Sequence, residues 1–498
     1  MGFKAKLSLP LAHWVMRRVR RDTADGTGAQ EAQFRMLVQA GAQTAFGREH
    51  GFRKGMTVEA FRKQVPVRDY EGLRPWMERA VQGEMDVVWP GSPLYFCKTS
   101  GTTSGAKYIP LTRDSMPNHI GSARNALLAY IAASGRADFV DGKMIFLQGS
   151  PALDQTPGGV PLGRLSGIVA HHVPSYLQRN RLPSWETNCI SDWEEKVDAI
   201  VRETKGEDLR LISGIPSWVQ MYFERLLAQT GAANVMEVFP NFSLFVYGGV
   251  AFEPYRERFR RLIGADVPTV ELYPASEGFL AWQDTQDEEG LLLNVADGIW
   301  FEFIPADAYF QSDRPRLGLD EVELGVQYAV VLSTNAGLWA YDIGDTVKFV
   351  SLDPPRILVT GRIKHFTSAF GEHVIAEEVE GALSEALAAA GGSAIEFHVA
   401  PQVNPVNGLP HHEWFVEFGE VPDDLALFAQ IADSALQKRN PYYQDLIAGA
   451  VLQSAVITPV ASGSFNAAMD SLGRLGGQNK PPRLANDRKF AEALNPLL

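Results

Sequence analysis

Only two cysteines, Cys97 and Cys189, occur among 498 residues. That excludes a disulfide framework and suits a reducing compartment. Basic residues are in deficit, with 46 Lys and Arg against 59 Asp and Glu, for a formal net charge of −13. A generic nucleic-acid binder needs a basic surface, so that class is excluded, although a local basic groove is not. Nowhere is there an apolar run of about 18 residues, so no segment is expected to span a bilayer. A secretory pattern is also missing. Leu7 to Val15 is short and broken by Pro10 and His13, and Arg17, Arg18, Arg20 and Arg21 follow the apolar run instead of preceding it. Lys6 stands where a myristoylation signal needs Ser or Thr. The first 25 residues therefore read as an amphipathic helix packed on the body, with weak contact to an acidic membrane surface as the alternative. No internal repeat of fixed period is present. The expectation is a soluble, cytoplasmic protein, a monomer or weak dimer.

What is present is ordinary globular composition, 45% hydrophobic and 21% charged, in a chain long enough for roughly three domain-sized units. From residue 140 to about 275 the pattern is apolar run, small-residue turn, helix. Met144 to Leu147 enters Gln148-Gly149-Ser150-Pro151; Leu209 to Ile212 enters Ser213-Gly214-Ile215-Pro216; Leu244 to Tyr247 enters Gly248-Gly249; Val270 to Leu272 enters Tyr273-Pro274-Ala275-Ser276-Glu277-Gly278. That rhythm predicts an α/β fold with a largely parallel sheet, whose ligands bind at the carboxyl ends of the strands. Near 327–350 the texture becomes strand-like, with Tyr328 to Leu332 and Leu338 to Tyr341 flanking Asn335-Ala336-Gly337 as a hairpin. Past about residue 365 a small α+β unit is predicted, with helices Ala376 to Ala390 and Asp424 to Lys438 and strands Ala394 to Val399, Trp414 to Glu417 and Val451 to Ile457. The division falls near Lys364, giving residues 1–364 and 365–498.

The richest local signal is Thr99-Ser100-Gly101-Thr102-Thr103-Ser104-Gly105-Ala106-Lys107. Its hydroxyls and exposed backbone N–H groups are what cradling a polyphosphate requires, while a flexible surface turn is the bland reading. It misses the Walker A spacing, because three residues separate Gly101 from Gly105 and Lys107 follows Ala106. Glu277 follows a buried strand, where a carboxylate can hold Mg²⁺ against phosphate oxygens. Asp345, in Tyr341-Asp342-Ile343-Gly344-Asp345, ends a strand with a carboxylate suited to ribose hydroxyls. Gly361-Arg362-Ile363-Lys364 precedes Gly371-Glu372-His373. Taken singly, each acid is more often a helix cap or a solvated turn. His171-His172 and His411-His412-Glu413 have no ligand spacing, so no metal is expected on them, and Cys97 reads as buried packing.

In order and spacing these motifs resemble the adenylate-forming superfamily of acyl-CoA synthetases, luciferase and peptide-synthetase adenylation domains. Within it, Gly337-Leu338-Trp339-Ala340-Tyr341-Asp342-Ile343-Gly344-Asp345 and Gly476-Gly477-Gln478-Asn479-Lys480-Pro481-Pro482-Arg483-Leu484 are similar to the auxin-responsive acyl acid amido synthetases, the Gretchen Hagen family. The likeness, to a bacterial-type member, runs from about residue 30 to the end. It implies a large amino-terminal domain of mixed and parallel sheets with a β-barrel-like part, and a small mobile carboxyl-terminal α+β domain. It implies ATP and Mg²⁺ as cofactors. Ser100, Gly101, Thr102, Thr103 and Ser104 then match the phosphate loop, and Gly248 and Gly249 the turn beside adenine. Tyr273, Ala275 and Ser276 match the adenine and phosphate strand, and Glu277 the Mg²⁺-associated acid. Asp345 and Arg362 match the ribose contacts, and Lys480 the mobile catalytic lysine. Pro274 and Asp342 depart from the plant pattern, which usually has Ala or Gly and Arg there.

The implied reaction is ATP-dependent activation of a carboxylic acid as an acyl-adenylate, then transfer to an amino acid amine. A thiol acceptor such as coenzyme A, and a non-catalytic nucleotide- or acyl-binding protein, are the alternatives. Residues 165–172 and 213–222, including Ser213, Trp218 and Tyr222, lie where an acyl pocket is expected, and their aromatics point to apolar or aromatic acids. Core packing is the competing reading of both aromatics.

Overall fold

A computed structural model describes residues 2–99, 107–173, 178–190, 193–249, 252, 255–363, 366–367, 370, 374–402, 405–448, 452–474, 480–485 and 488–494. The chain forms two compact units. The larger comprises Met1–Ala251, Phe259–Ile343 and Val347–Leu358; the smaller comprises Phe252–Arg258, Gly344–Thr346 and Val359–Leu498.

Eleven strands form one sheet: β3 (Lys143–Phe146), β6 (Arg181–Leu182), β7 (Leu209–Ser213), β8 (Leu244–Gly248), β9 (Thr269–Ala275), β10 (Gly278–Trp282), β11 (Leu291–Leu293), β12 (Ile299–Pro305), β13 (Gln327–Thr334), β14 (Tyr341–Leu352) and β15 (Pro355–Arg362). Their order is β12-β13-β14-β15-β11-β10-β9-β8-β7-β3-β6. Strands β6, β3, β7, β8 and β9 run parallel, as the alternation of apolar runs and helices predicts. From β9 onward the pairing turns antiparallel, through β10, β11 and β15. A second, small sheet joins β1 (Tyr95–Thr99), β2 (Lys107–Leu111), β4 (Asp154–Gln155) and β5 (Pro161–Gly163) in the order β2-β1-β5-β4.

The parallel end is closed by hydrophobic burial. Met144, Leu211, Leu244, Val246 and Val270 from the strands meet Ala126, Leu128, Ala129 and Ile131 of the helix Met116–Ser134. Ala5, Ala12, Val15 and Met16 of the helix Phe3–Thr23 cover that helix in turn. Each fully buried Val, Leu, Ile or Met side chain contributes about 1.5–3 kcal/mol and the alanines less, so this layer holds the strands in fixed positions.

In the smaller unit β16 (Phe366–Thr367) pairs with β17 (Val374–Ile375), and β18 (Ser393–Gln402), β19 (His411–Glu420) and β20 (Val456–Val460) form a three-stranded sheet. The helix Ala376–Ala390 has the bounds its periodicity predicts and stops at Gly391, whose φ of +78° suits glycine. The last strand lies further along than the sequence pattern predicts. The Leu452 N–H is donated to the Leu446 carbonyl and the Ala455 N–H to the Asp433 carboxylate, so pairing with β19 starts at Val456.

Candidate active site

The carboxyl ends of β3, β7, β8 and β9 are neighbours. Phe146 pairs with Ser213, Ser213 with Val246, and Gly248 with Leu272. In a parallel sheet these ends share one rim, which brings Ser213, Gly248 and the residues after Leu272 together. A Cβ on Gly248 would lie 2.5 Å from the Leu272 carbonyl oxygen, so only glycine fits. Gly249 has φ +81°, and the chain turns there without strain.

Beyond Leu272 the strand continues to Ala275, then reverses, because Gly278 pairs with Ala275. Ser276 and Glu277 are thus the two-residue tip of a tight hairpin. Pro274 sits in β9 without breaking the sheet, because β8 has already ended at Gly248 opposite Leu272. Tyr273 is buried, and Glu277 is half-buried. The Tyr341 hydroxyl, at the start of β14, donates to Glu277 Oε1 at 3.3 Å.

A second element meets the tip from the other side. Cys97 of β1 is fully buried and hydrogen-bonds Ser276; burial pushes its thiol far up, that bond lowers it in part, and the charge of Glu277 raises it further. The thiol is therefore inert packing. Thr99 pairs with Lys107, so β1 and β2 form a hairpin that encloses residues 100–106, and it is Cys97, two residues before Thr99, that meets the Ser276–Glu277 tip. Ser100, Gly101, Thr102, Thr103 and Ser104 themselves lie outside the described residues. So do Lys364, His365 and the segment Gly371–His373.

The expected acyl-pocket residues divide. Ser213 is half-exposed at the β7 rim, with the N–H of Leu147 on its carbonyl at 2.8 Å. Trp218 is nearly buried on the helix Pro216–Thr230. Tyr222 is fully buried, and its hydroxyl is bonded to Thr204 Oγ1 at 2.7 Å, inside the core. Asp342 is buried and accepts a hydrogen bond from the Tyr309 hydroxyl.

The smaller unit holds three more of the residues the sequence singles out. Asp345, half-buried, lies in β14 between Gly344, whose carbonyl takes the Ile363 N–H at 2.8 Å, and Thr346, whose hydroxyl meets Thr360 at 2.9 Å. Arg362 ends β15; its side chain is outside the described part. Lys480 is exposed on a segment that runs beside β18. The Val399 N–H donates to the Arg483 carbonyl at 2.9 Å, and the Ala485 N–H to the Val399 carbonyl at 3.0 Å. Arg483 clamps that segment: its guanidinium pairs with Glu396 and with Glu380 at 3.7 Å, donates to Tyr255 at 3.2 Å, and covers the Phe397 ring at 4.7 Å. Burial pushes the Glu380 carboxyl up; the charge of Arg483 and, more weakly, that of Lys480 pull it down, while Glu377 raises it.

Sequence reasoning gave no role to Tyr341, Arg483 or the Cys97–Ser276 contact, although all four residues stand in or beside motifs it singled out. Among the described residues there is no group of three or more His, Cys, Asp or Glu that could hold a metal ion. His171 instead meets the Pro151 carbonyl and His172 the Tyr95 hydroxyl. Among the same residues no helix is long and apolar enough to cross a membrane.

Comparison with known proteins accords with this arrangement. Family models match in chain order: the GH3 family N-terminal domain over residues 15–197, its central domain over 292–362 and its C-terminal domain over 377–489. The chain is 22% identical to the jasmonoyl–L-amino acid synthetase JAR4 of Nicotiana attenuata, over 66% of this chain and 67% of that protein. It is 22% identical to a probable indole-3-acetic acid-amido synthetase, GH3.1 of Oryza sativa subsp. japonica, over 94% of this chain and 89% of that one. Among solved structures it superposes on a GH3.15 acyl acid amido synthetase with TM-score 0.79 at 16% identity, covering 97% of this chain and 95% of that one. A 2-hydroxyisobutyryl-CoA ligase gives TM-score 0.64 at 15% identity, covering 94% and 91%. Both are likenesses of fold. With three successive domain models matched over most of its length, the chain belongs to the GH3 family.

Proposed function

We propose that this protein is an ATP-dependent acyl acid–amido synthetase, joining a carboxylic acid to the amine of an amino acid through an acyl-adenylate. The observation that supports the reading is the strand-end rim: Gly248 and Gly249 lie beside the strand that leads to the Ser276–Glu277 hairpin tip, and Cys97, on the strand that leads into the 100–106 segment, meets that tip, in a chain of this family.

A carboxylate is a poor electrophile. In the first step its oxygen attacks the α-phosphorus of ATP, and pyrophosphate leaves. In the second, the amine nitrogen attacks the acyl carbonyl, gives up a proton, and AMP leaves with the bonding electrons. Backbone N–H groups and hydroxyls of Ser100, Gly101, Thr102, Thr103 and Ser104 hold the phosphates. Gly248, Gly249 and Tyr273 flank adenine, while Ala275 and Ser276 run beside the phosphates. Asp345 accepts the ribose hydroxyls and Arg362 adds a donor there. Lys480 meets the charge that develops at the α-phosphate, and one such donor is typically worth ~3–4 kcal/mol. Glu277 is a single half-buried carboxylate, which fits Mg²⁺ arriving on the nucleotide's phosphates better than a resident ion. Bound in that way, Mg²⁺ supplies positive charge to the phosphate oxygens. Ser213 and Trp218 border the acyl acid. Residues 1–364 bind ATP and acid, and residues 365–498 turn about Lys364 and His365 to exchange Lys480 for the acceptor between half-reactions.

The test is a pyrophosphate-release screen of carboxylic acids, each with amino acids and with coenzyme A. Amine-dependent amide is the expected product. A thioester would move the protein to the ligase reading, and no turnover with any acid would make it a binding protein.

A further inference from the structure

The helix Phe3–Thr23 is apolar on two sides. Ala5, Ala12, Val15 and Met16 face the core. At about 100° per residue, Phe3, Leu7, Leu11 and Trp14 fall within roughly 80° of one another on the opposite side. They are 76%, 56%, 50% and 64% exposed. A helix packed on a globular body needs only its inner stripe. Here an outer stripe of two aromatics and two leucines runs along about 16 Å of axis in contact with water. Other large exposed apolar residues, such as Met85, Phe310 and Val406, lie far apart in the chain and need no partner to explain them.

Charge marks the same helix. Lys4 and Lys6 lie beside the stripe, and Arg17, Arg18, Arg20 and Arg21 follow it toward the helix end; all six are exposed. Asp22 is the helix's one acid, within 3.5 Å of Arg18 and 3.3 Å of Arg21. This basic element belongs to a chain of net charge −13, so an anionic surface is attracted here and repelled by the body as a whole. A second copy of the chain pairing through the same face would bring two sets of six cations together, which disfavours that occupant.

We propose that the outer face of this helix docks the protein on an anionic lipid bilayer. Phe3, Leu7, Leu11 and Trp14 enter the headgroup–acyl boundary, and the six basic side chains meet acidic headgroups. Inner residues stay on the core, so docking needs no unfolding, and the protein lies on the bilayer without crossing it.

The experiment is co-sedimentation of the full chain with phosphatidylcholine vesicles, with or without about one third phosphatidylglycerol. Binding to the anionic vesicles should be at least ~tenfold stronger and should weaken several-fold in high salt. Phe3→Ser/Trp14→Ser and Arg17→Glu/Arg20→Glu should each remove most of it while circular dichroism and thermal melting stay unchanged, because all four side chains are exposed. Equal binding to both vesicle types, or undiminished binding by both variants, would overturn the proposal. So would a wild-type dimer that binds no lipid and is dissolved by Phe3→Ser/Trp14→Ser, which would assign the face to a second copy.

Discussion

Glu277 and Lys480 are carried by opposite kinds of backbone. Glu277 sits at the tip of a two-residue hairpin whose strands belong to an eleven-stranded sheet, so strand register fixes its position. Lys480 sits on a segment with no regular structure, fixed by two backbone bonds to Val399 and by the Arg483 clamp. A residue placed by sheet register tolerates changes in nearby side chains. One placed by a clamp is lost with a single arginine. The Lys480 side of the proposed chemistry should therefore be the more fragile.

Lys480→Ala is the sharpest probe. Adenylation should fall by ~10²-fold, and at least tenfold, while ATP binding survives, as expected of a donor used mainly in the transition state. Unchanged pyrophosphate release would remove Lys480 from the site. Arg483→Gln comes next. It leaves Glu380 and Glu396 partly buried without their cation and should cost about 2–3 kcal/mol in chemical denaturation of the smaller unit. Adenylation should fall with it even though Lys480 is intact; a normal rate would break the link between clamp and lysine. Glu277→Gln should lower turnover about tenfold and raise the Mg²⁺ concentration needed, with little change in stability, since the hairpin register does not depend on that charge. An unaltered Mg²⁺ requirement would contradict its role.

The smallest effect concerns the smaller unit alone. Burial raises the Glu378 carboxyl from 4.5 to about 7, against hydrogen bonds from Asn440 and the Ile375 N–H that favour the charged form, with Glu377 raising it and Arg439 lowering it in smaller measure. The folded state therefore holds this proton more tightly than the unfolded chain. The stability it contributes is complete below about pH 4.5 and is lost as pH climbs through about 7. Glu378→Gln keeps an acceptor oxygen for both donors without the charge. Between pH 5 and 8 the wild type should lose about 1–2 kcal/mol more than the variant, measured by denaturation at each pH. Parallel pH profiles would show that Glu378 does not titrate with folding.

The same contrast explains what could be read in advance. Periodicity and small-residue turns carried the parallel strands, the Gly248–Gly249 turn and the strand before Glu277, because local pattern and register determine them. Leu338 to Tyr341 looked like strand, yet Trp339 donates its indole N–H to the Val88 carbonyl and Ala340 takes φ +45°, with its N–H on the Ser333 hydroxyl. Strand begins only at Tyr341. Partners distant in sequence override the local alternation there. Arg483 was silent for the same reason: Glu380, Glu396 and Tyr255 give it meaning only after folding. Tyr222 shows the converse, an aromatic at helical spacing whose hydroxyl is bonded to Thr204 in the core.

The measurement closest to the central claim is the fate of carboxylate oxygen. An accepted acid labelled with heavy oxygen in its carboxylate is turned over with ATP and an amino acid, and the products are weighed by mass spectrometry. The acyl-adenylate route predicts one labelled oxygen in AMP and none in pyrophosphate. Label in inorganic phosphate, with ADP formed, would mean an acyl phosphate and would contradict the account.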